Sequence, residues 1–240
     1  MRKLVIIPTY NEIENISAMI DKVLSLEGDF SILIIDDGSP DGTANIVKQK
    51  MALSPERVFI IERSGKLGLG TAYITGFKWA IEHQYDYIFE MDCDFSHNPD
   101  DLLRLYASAR RGNDVVVGSR YISGVNVVNW PMSRLLLSYF ASKFVRTISQ
   151  MRIADATAGF VCYSRKVLET IDLDAVRMKG YGFQIEMKYS AVKLGFSLDE
   201  VSIVFTDRRE GVSKMSSGIF GEAFFGVIAL PFRQIRARNN

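Results

Sequence analysis

The 240-residue sequence predicts an α/β protein whose core is a mainly parallel β-sheet flanked by helices. Short, β-branched apolar runs alternate with longer segments of helical periodicity over residues 1–118, which is the pattern of βαβ units. Three of these apolar runs end in clusters of polar, turn-forming residues, as is typical of parallel strands that end beneath a ligand site. No linker, repeat or low-complexity tract divides the chain, so we expect a single domain over residues 1–240.

The first half of the chain, residues 1–118, carries the regular part of this pattern. The predicted strands are 4–7, 32–35, 58–61, 87–91 and 115–117, and the predicted helices between them are 11–26, 43–51, 70–82 and 99–110. Right-handed crossovers between parallel strands place their carboxyl ends along one rim of the sheet. We therefore expect the polar clusters 8–12, 36–41 and 92–96 to meet at that rim.

The second half of the chain is less regular. Its apolar spacing predicts helices over 134–148 and 183–194 and strands over 159–163 and 198–205. Residues 218–232 form a further apolar and aromatic run, followed by arginines at 233, 236 and 238. Such a run fits a core helix, a dimer contact or an interfacial helix on anionic lipid, and the sequence alone leaves these open.

The composition excludes several classes of function. Lys and Arg number 29 and Asp and Glu number 28, so no overall charge attracts nucleic acid. The two cysteines, Cys93 and Cys162, lack the spacing of a zinc site and fit a reducing compartment. The apolar run 4–7 is too short for a signal peptide, and no run reaches the ~18 residues of a membrane span. We expect a cytoplasmic protein that rests at most on a membrane surface.

An Asp-x-Asp motif follows the predicted strand 87–91. Alone, Asp92 and Asp94 would usually be a solvated turn, but they share the rim with Asp36 and Asp37. Clustered carboxylates repel one another unless a cation joins them, and a hard divalent ion does so with oxygen ligands. An EF-hand is excluded, because its sixth position would be His97 instead of Gly.

Other catalytic motifs are incomplete. The glycine-rich run 65–70 matches neither a P-loop nor Gly-x-Gly-x-x-Gly, and it fits the entry to a helix whose amides line a ligand. The chain has only two histidines, His83 and His97, and no Gly-x-Ser-x-Gly, which excludes a serine hydrolase. Among the cations, Arg120 stands out because it follows the fifth predicted strand at the rim, and residues 208–214 resemble a mobile lid.

Taken together, these motifs resemble those of the family 2 glycosyltransferases with the GT-A fold, and among them the dolichol-phosphate (polyprenol-phosphate) mannose synthases. The matching segments are 8–12, 35–43, 66–73, 91–97, 118–121, 179–186 and 205–208, and the resemblance covers about residues 4–232. It implies transfer of mannose from GDP-mannose to a polyprenyl phosphate, with inversion at the sugar and dependence on Mg2+ or Mn2+.

The resemblance also implies that different segments of the chain have different functions. Residues 1–118 would be the nucleotide-binding half, 119–217 the acceptor half, and 218–238 an amphipathic helix in contact with the membrane. The chain resembles the single-domain members of the family, without spans of its own. We expect peripheral association with the cytoplasmic face of a membrane, no nucleic-acid partner, and leave a homodimer open.

Individual roles follow from the resemblance, residue by residue. The nucleotide would be held by Pro8, Tyr10, Glu12, Ile35 and Asp37. The catalytic residues would be Asp92, Asp94 and Arg120, and the metal ligands Asp92, Asp94 and Ser96, with Cys93 contributing its backbone. The phosphates of donor or acceptor would meet Arg120, Arg208 and Lys214, with Arg134 and Ser138 at the acceptor phosphate. The transferred sugar would lie near Gln184 and Glu186.

The chemistry agrees with these roles. A phosphate monoester has a second pKa of about 6, so the acceptor is largely ionised at neutral pH and needs no strong base. A cation stabilises the charge that develops on the nucleoside diphosphate as it leaves. Two alternatives stay open at this point: a UDP-glucose donor with the same acceptor, and a nucleotide-sugar-binding subunit without turnover. The intact Asp92, Asp94 and Arg120 argue against the second.

Overall fold

The computed structural model describes residues 1–178, 180–207, 218–235 and 237–238. The strands are β1 (Lys3–Thr9), β2 (Phe30–Asp36), β3 (Val58–Glu62), β4 (Tyr87–Glu90), β5 (Val115–Ser119), β6 (Val127–Val128), β7 (Val161–Ser164), β8 (Leu198–Ser202) and β9 (Phe205–Thr206). The helices are α1 (Ile13–Leu24), α2 (Thr43–Leu53), α3 (Leu69–Glu82), α4 (Asp101–Arg110), α5 (Met132–Ser149), α6 (Arg165–Thr170), α7 (Gly180–Lys193) and α8 (Gly218–Ala229). Short 3-10 turns occupy Leu173–Ala175 and Leu230–Phe232.

The central sheet has the strand order β3-β2-β1-β4-β7-β5-β8. Its neighbours run parallel except β7, which is antiparallel to both β4 and β5. The prediction of a mainly parallel sheet flanked by helices is confirmed. Strands of both halves of the chain alternate in this sheet, because β7 of the second half lies between β4 and β5 of the first.

Both faces of the sheet are covered, which explains the continuous apolar runs of the sequence. All seven residues of β2 are buried. Along β1, Leu4 and Ile6 face one hydrophobic core while Val5 and Ile7 face the other. This alternation follows from the two-residue period of a strand, and burial on both faces is typical of parallel sheets.

The registers of β1 bring the predicted polar clusters to one rim. Thr9, at the end of β1, lies opposite Asp36, at the end of β2. On its other side, Ile6 of β1 pairs with Glu90, the last residue of β4. The segments that follow β1, β2 and β4 therefore leave the sheet side by side, as the alternating pattern indicated.

The second half departs from the sequence-based prediction in three places. The strand predicted at 159–163 lies at Val161–Ser164 and runs antiparallel. The strand predicted at 198–205 is divided: β8 ends at Ser202, and β9 pairs with β6 in a separate two-stranded sheet. Helix α6 was not predicted. The two differences in the strands depend on pairing between distant segments, which local apolar spacing does not encode.

Helix α8 lies where the sequence predicted an apolar helix. Among the described residues, Val227 and Leu230 are buried, while Phe225 and Phe232 are 72% and 86% exposed. The segment is thus neither wholly core nor wholly surface. In the part of the chain that the structure describes, no helix has the length and apolar character needed to cross a membrane.

Candidate active site

A cavity of about 630 Å³ opens beyond the carboxyl ends of β4 and β5, bounded by α5, α7 and α8. One part of its lining is polar or charged, and we call it the polar end. It consists of Asp92, Asp94, Ser96, His97, Arg120, Arg134, Thr157, Gln184 and Asp207. A second part is apolar, and we call it the apolar end. It is lined by Leu69, Leu137, Phe140, Ala141, Phe144, Val145, Ile185, Phe224 and Val227.

The Asp-x-Asp motif forms the corner of the polar end. Asp94 is 8% exposed, and its Oδ1 accepts a hydrogen bond from the Ser96 amide at 3.1 Å. Phe95 between them has a left-handed backbone (φ 57°), which turns the chain sharply. The side chain of Asp92 is 44% exposed. Both carboxylates and the Ser96 hydroxyl therefore belong to one short turn on the cavity wall.

His97 supports this turn from within the same cavity wall. It is 4% exposed, stacks on Phe160 and meets Phe205 edge-on. Its Nδ1 lies 3.4 Å from the Asp92 amide, from which it accepts a hydrogen bond, and 3.9 Å from the Asp92 carboxylate. Burial lowers the pKa of His97 to about 4, against the opposing effect of Asp94, so the ring is neutral and can accept.

The donor set of the turn suits a divalent ion that is shared with a substrate. Asp92, Asp94 and Ser96 supply hard oxygen atoms, as Mg2+ and Mn2+ prefer. Over the described ranges, no group of three or more His, Cys, Asp or Glu side chains could hold a metal ion. Two carboxylates with one hydroxyl fit an ion that takes its remaining ligands from water and a diphosphate.

Arg120 is held by an acidic partner that the sequence analysis missed. Its guanidinium forms two 2.6 Å hydrogen bonds to Asp155, which is fully buried, and a 2.9 Å bond to Thr157. Burial alone would raise the pKa of Asp155, but Arg120 outweighs it and the pKa lies below its ordinary value. In the sequence, the run of small and polar residues 155–159 before β7 is the feature that could have indicated Asp155 as a site residue.

Two further residues expected at the acceptor phosphate line the same cavity. Arg134 is paired with Asp207 at 2.8 Å and lies over the Trp130 ring at 4.2 Å. Ser138 accepts a 2.8 Å hydrogen bond from the Tyr121 hydroxyl. The structure thus brings Arg120, Arg134 and Ser138 to one cavity with the Asp-x-Asp turn.

The residues expected to hold the nucleotide lie next to this cavity at the ends of β1 and β2. Pro8 pairs with Ile35 in the sheet, and Ile35 is fully buried in the core, so its side chain is not at the surface. Side-chain hydrogen bonds join the two segments: Ser39 Oγ accepts from the Asn11 amide, and Thr43 Oγ1 from the Glu12 amide, both at 3.0 Å.

Asp37 has a cationic partner that was not predicted, Arg63. Arg63 Nε donates to the Asp37 carboxylate at 2.6 Å, and the same guanidinium bonds Thr71 at 2.8 Å. Burial raises the pKa of Asp37, although Arg63 opposes this. Arg63 thereby ties the end of β2 to the glycine-rich entry of α3. Within that entry, the Lys66 ammonium lies 5.2 Å above the Tyr10 ring.

The two residues expected at the sugar differ in position. Gln184 lines the cavity and is 2% exposed, and among the described residues its amide makes no hydrogen bond of ordinary geometry, although it lies near the Glu90 carboxyl. Glu186 does not line it. Its carboxylate instead accepts from the amides of Arg177 and Met178, at 3.1 and 2.7 Å, and from Arg233 at 2.7 Å. Glu186 therefore braces the chain after α8.

Arg233 also departs from expectation. The sequence placed it among the arginines that would face anionic lipid, but its guanidinium turns inward to Glu186. Cys93 is buried, in keeping with a role through its backbone. Arg208 and Lys214, expected at the phosphates, lie outside the described residues, as does the predicted lid over 208–214.

A pair of buried ionisable groups lies beneath the polar end. Glu90 and Lys188 are both fully buried. Burial raises the pKa of Glu90 to about 8 and lowers that of Lys188 to about 8, each group partly offsetting the effect on the other. Neither residue was singled out from the sequence, because a strand residue and a helix residue nearly a hundred positions apart give no local signal.

The apolar end continues into an exposed apolar surface on α5 and α8. Phe144 of α5 stacks on Phe224 of α8 with ring centroids 5.0 Å apart. Around this pair, large apolar side chains stand 39–72% exposed. They are Met132, Leu136, Leu137, Tyr139, Phe140, Phe224, Phe225 and Ile228. We call this set the α5–α8 surface. A contiguous surface of this kind marks an interaction site.

Comparison with known proteins identifies the class. The model of the glycosyl transferase family 2 matches residues 4–172, so the chain belongs to this family and is a glycosyltransferase. The resemblance found in the sequence is confirmed by curated relatives. A polyprenol monophosphomannose synthase of Mycolicibacterium smegmatis is 46% identical over 94% of this chain and 85% of its own. An undecaprenyl-phosphate mannosyltransferase of Micrococcus luteus is 43% identical over 99% of both chains.

Solved structures agree on the fold. Glucosyl-3-phosphoglycerate synthase of Mycobacterium tuberculosis, in complex with Mn2+, UDP and glucosyl-3-phosphoglycerate, superposes with a TM-score of 0.66. The match covers 96% of this chain and 78% of that one at 18% identity. The same enzyme with Mg2+ and UDP also gives 0.66. The GT-A fold expected from the sequence is thus confirmed.

Proposed function

We propose that this glycosyltransferase moves mannose from GDP-mannose to a polyprenyl monophosphate, with inversion at the sugar and with a divalent metal ion. One observation carries the proposal: a single cavity joins an acidic and cationic end to an apolar end that reaches the α5–α8 surface. A sugar diphosphate matches the first end and a lipid phosphate spans both. The names of the two curated relatives support mannose and a polyprenyl phosphate as the substrates.

The donor would lie along the rim of the sheet. Its nucleotide would rest on the segments that follow β1 and β2, near Tyr10, Glu12 and Asp37. Its diphosphate would reach the Asp-x-Asp turn, where Asp92, Asp94 and Ser96 would hold Mg2+ or Mn2+. When bound, such an ion stabilises the negative charge that develops on the leaving diphosphate. The mannose would then face Gln184, whose side-chain amide both donates and accepts hydrogen bonds.

The reaction needs no strong base from the protein. An oxygen of the lipid phosphate attacks the anomeric carbon of mannose, the bond from that carbon to the diphosphate breaks, and GDP leaves with the electron pair. Attack from the face opposite the leaving group inverts the configuration. Asp92, Asp94 and Arg120 are the proposed catalytic residues, and Arg134 and Ser138 would orient the incoming phosphate.

The described lining of the cavity does not by itself balance two incoming anions. Arg120 is paired with Asp155 and Arg134 with Asp207, and Asp92 and Asp94 add negative charge, which supports the proposal that a divalent ion is bound there. An incoming phosphate can share Arg134, whose side chain is 32% exposed, more readily than Arg120 at 10%. We propose that Arg134 meets the acceptor phosphate, while Arg120, held in place by Asp155, acts on the diphosphate from the cavity wall. Arg208 and Lys214 remain proposals of the sequence alone.

The membrane contact that we propose involves a larger surface than the sequence indicated. The sequence placed lipid contact in residues 218–238 only. The N-terminal half of α5 exposes apolar side chains as well, including Leu136 and Phe140, at 47% and 57%. We propose that the α5–α8 surface rests on the cytoplasmic face of a membrane, so that a lipid phosphate enters the apolar end without leaving the bilayer.

The test is a transfer assay with undecaprenyl phosphate in phospholipid vesicles. GDP-mannose and UDP-glucose, each labelled in the sugar, are supplied in parallel with Mn2+ or with a chelator. The proposal predicts lipid-extractable label from GDP-mannose alone, and its loss with the chelator. Label from UDP-glucose alone would replace the donor. Absence of label from both, with GDP-mannose still bound, would contradict turnover and favour a binding subunit.

A further inference from the structure

One wall of the polar end, residues 155–159, is held from two sides. Arg120 bonds Asp155 and Thr157 at its start. At its other end, the Lys188 ammonium donates a 2.6 Å hydrogen bond to the backbone carbonyl of Ala158. Thr157, Ala158 and Gly159 line the cavity, whereas Lys188 is fully buried behind them. The wall is therefore fixed by a side chain that no substrate can reach.

Lys188 shares a helix face with the residue expected at the sugar. It follows Gln184 by four positions on α7, and residues four apart stand one above the other on a helix. A Cβ built on Gly159 would lie 3.7 Å from Gln184 Nε2, so the wall at Gly159 and the Gln184 amide face each other across about the width of one methyl group. A shift of the wall at Ala158 would therefore change the space beside the Gln184 amide.

Lys188 also interacts with Glu90, so it could serve only to balance a buried charge. This stabilising role must be separated from an effect of Lys188 on the 157–159 wall. Among the described residues, both Glu90 carboxylate oxygens are buried without a hydrogen bond of ordinary geometry, although the Gln184 side chain lies close enough to lower the pKa of Glu90. An isolated buried carboxylate is costly, so a cation nearby stabilises the fold whatever it does for catalysis. Charge balance alone, however, would not require the bond from Lys188 to the Ala158 carbonyl.

We propose that Lys188 is a positioning residue for sugar transfer. By holding the Ala158 carbonyl, it fixes the 157–159 wall and, through Gly159, the Gln184 amide beside the transferred sugar. This inference rests on the proposed function, because it takes the cavity to be the place where the sugar is transferred. It assigns to Lys188 a role that acts through Ala158 and Gln184, without contact to substrate.

The experiment uses a charge-balanced double variant. Lys188→Met alone leaves Glu90 without its cation and is expected to lower the Tm. Adding Glu90→Gln removes the partner charge, so the double variant should recover a Tm near that of the wild type. The missing bond to Ala158 is not recovered. Because Glu90 also interacts with Gln184, Glu90→Gln alone is measured as the baseline for the double variant. Lys193→Met, the same substitution at an exposed position of α7, is the matched control.

Four quantities are measured: Tm, GDP affinity, kcat for mannosyl transfer, and hydrogen exchange of the amides at 155–160. For the double variant we expect unchanged GDP affinity, faster exchange in that segment alone, and kcat lower by roughly 10- to 100-fold. A double variant with wild-type kcat and wild-type exchange would overturn the proposal. So would parallel losses of Tm, GDP affinity and kcat, since these indicate general destabilisation.

The failure of the proposed function would look different. A wild-type chain that transfers no mannose refutes that function before any variant is made. Local exchange at 155–160 still reports whether Lys188 fixes the wall, because it needs no substrate. Wild-type exchange in the double variant would contradict the positioning role in that case as well.

Discussion

The two halves of this molecule present different kinds of surface at the site: the first half presents polar residues that are bonded to one another, and the second half presents exposed apolar side chains. In the first half, polar rim residues are bonded to one another: Asp37 to Arg63, Ser39 to Asp36, and Thr43 to Asp41. In the second half, α5 and α8 leave the α5–α8 surface exposed. The contrast teaches how one cavity can receive both a polar donor and a lipid. A preorganised rim suits a nucleotide, and an uncovered apolar surface suits a bilayer.

Neutralising the Asp-x-Asp turn in the first half should have the largest effect. Asp94→Asn keeps the size of the side chain but removes the charge that would hold the metal ion. We expect kcat for mannosyl transfer to fall by about 10²- to 10³-fold with Tm nearly unchanged. Initial rates at saturating GDP-mannose and Mn2+ measure this. Asp100→Asn, at a 53% exposed position, is the control, and a wild-type rate in Asp94→Asn would refute the metal assignment.

Breaking the Arg120–Asp155 pair tests whether a buried ion pair in the second half contributes substantially to the free energy of unfolding. Asp155→Asn removes the buried carboxylate that accepts two 2.6 Å hydrogen bonds from the Arg120 guanidinium, so we expect a loss of about 3–5 kcal/mol in the free energy of unfolding. Urea unfolding at neutral pH measures it. A loss within experimental error would mean that the buried pair does not stabilise this wall.

The same variant has a defined pH dependence. The folded-state pKa of Asp155 is below its ordinary value, so the pair stabilises the fold above the unfolded pKa of about 3.9 and less as pH falls below it. The stability difference between wild type and Asp155→Asn should be constant from about pH 7 to pH 5 and shrink below about pH 4. A difference that grows on acidification would contradict the sign.

Charging the α5–α8 surface should weaken membrane binding without reaching the cavity. Phe225 is 72% exposed and does not line the cavity. Because burying a Phe side chain contributes about 1.5–3 kcal/mol, Phe225→Glu should lower vesicle affinity by roughly tenfold or more. Leu53→Glu, at an 81% exposed position of the first half, is the control. If Phe225→Glu and Leu53→Glu lowered co-sedimentation with vesicles equally, membrane binding would not be specific to the α5–α8 surface.

The smallest expected effect concerns an exposed ion pair of the first half. Lys48 and Glu62 lie 2.8 Å apart, but both side chains are nearly half exposed. Lys48→Gln should change the free energy of unfolding by less than about 0.5 kcal/mol and leave transfer unaffected. Urea unfolding of Lys48→Gln and Asp155→Asn in parallel tests this. If both variants lost similar amounts of free energy of unfolding, burial would not explain why one ion pair stabilises the fold more than the other.

The sequence predicted the first half of the fold well for a physical reason. There, each strand is an apolar run and the helical segments between the strands predict parallel pairing, so local patterns carry much of the topology. Strands β1, β2 and β3 are consecutive in the chain and adjacent in the sheet, while β4 lies on the other side of β1. The convergence of residues 8–12, 36–41 and 92–96 followed from that rule alone. The antiparallel β7 did not, because its place between β4 and β5 depends on pairing with segments about 75 and 46 residues earlier.

The site shows the same limit. Asp92 and Asp94 can be recognised in the sequence because they form a local motif. Arg120 can be recognised because it directly follows a predicted strand. Their partners do not, since Asp155, Arg63 and Lys188 act through contacts across the fold. The brace role of Glu186 was hidden for the same reason. Residues that touch a substrate tend to lie in motifs, while those that hold them are found only when the chain has folded.

The central claim is that one cavity joins the donor end to the lipid end, and acceptor length tests it most directly. The measurement is kcat/KM for mannosyl transfer to polyprenyl phosphates of two to eleven isoprene units, dispersed in detergent. Each buried CH2 contributes about 0.8 kcal/mol, so kcat/KM should climb steeply over the first units and then level off once the apolar end is filled. Equal values for all lengths would contradict the account.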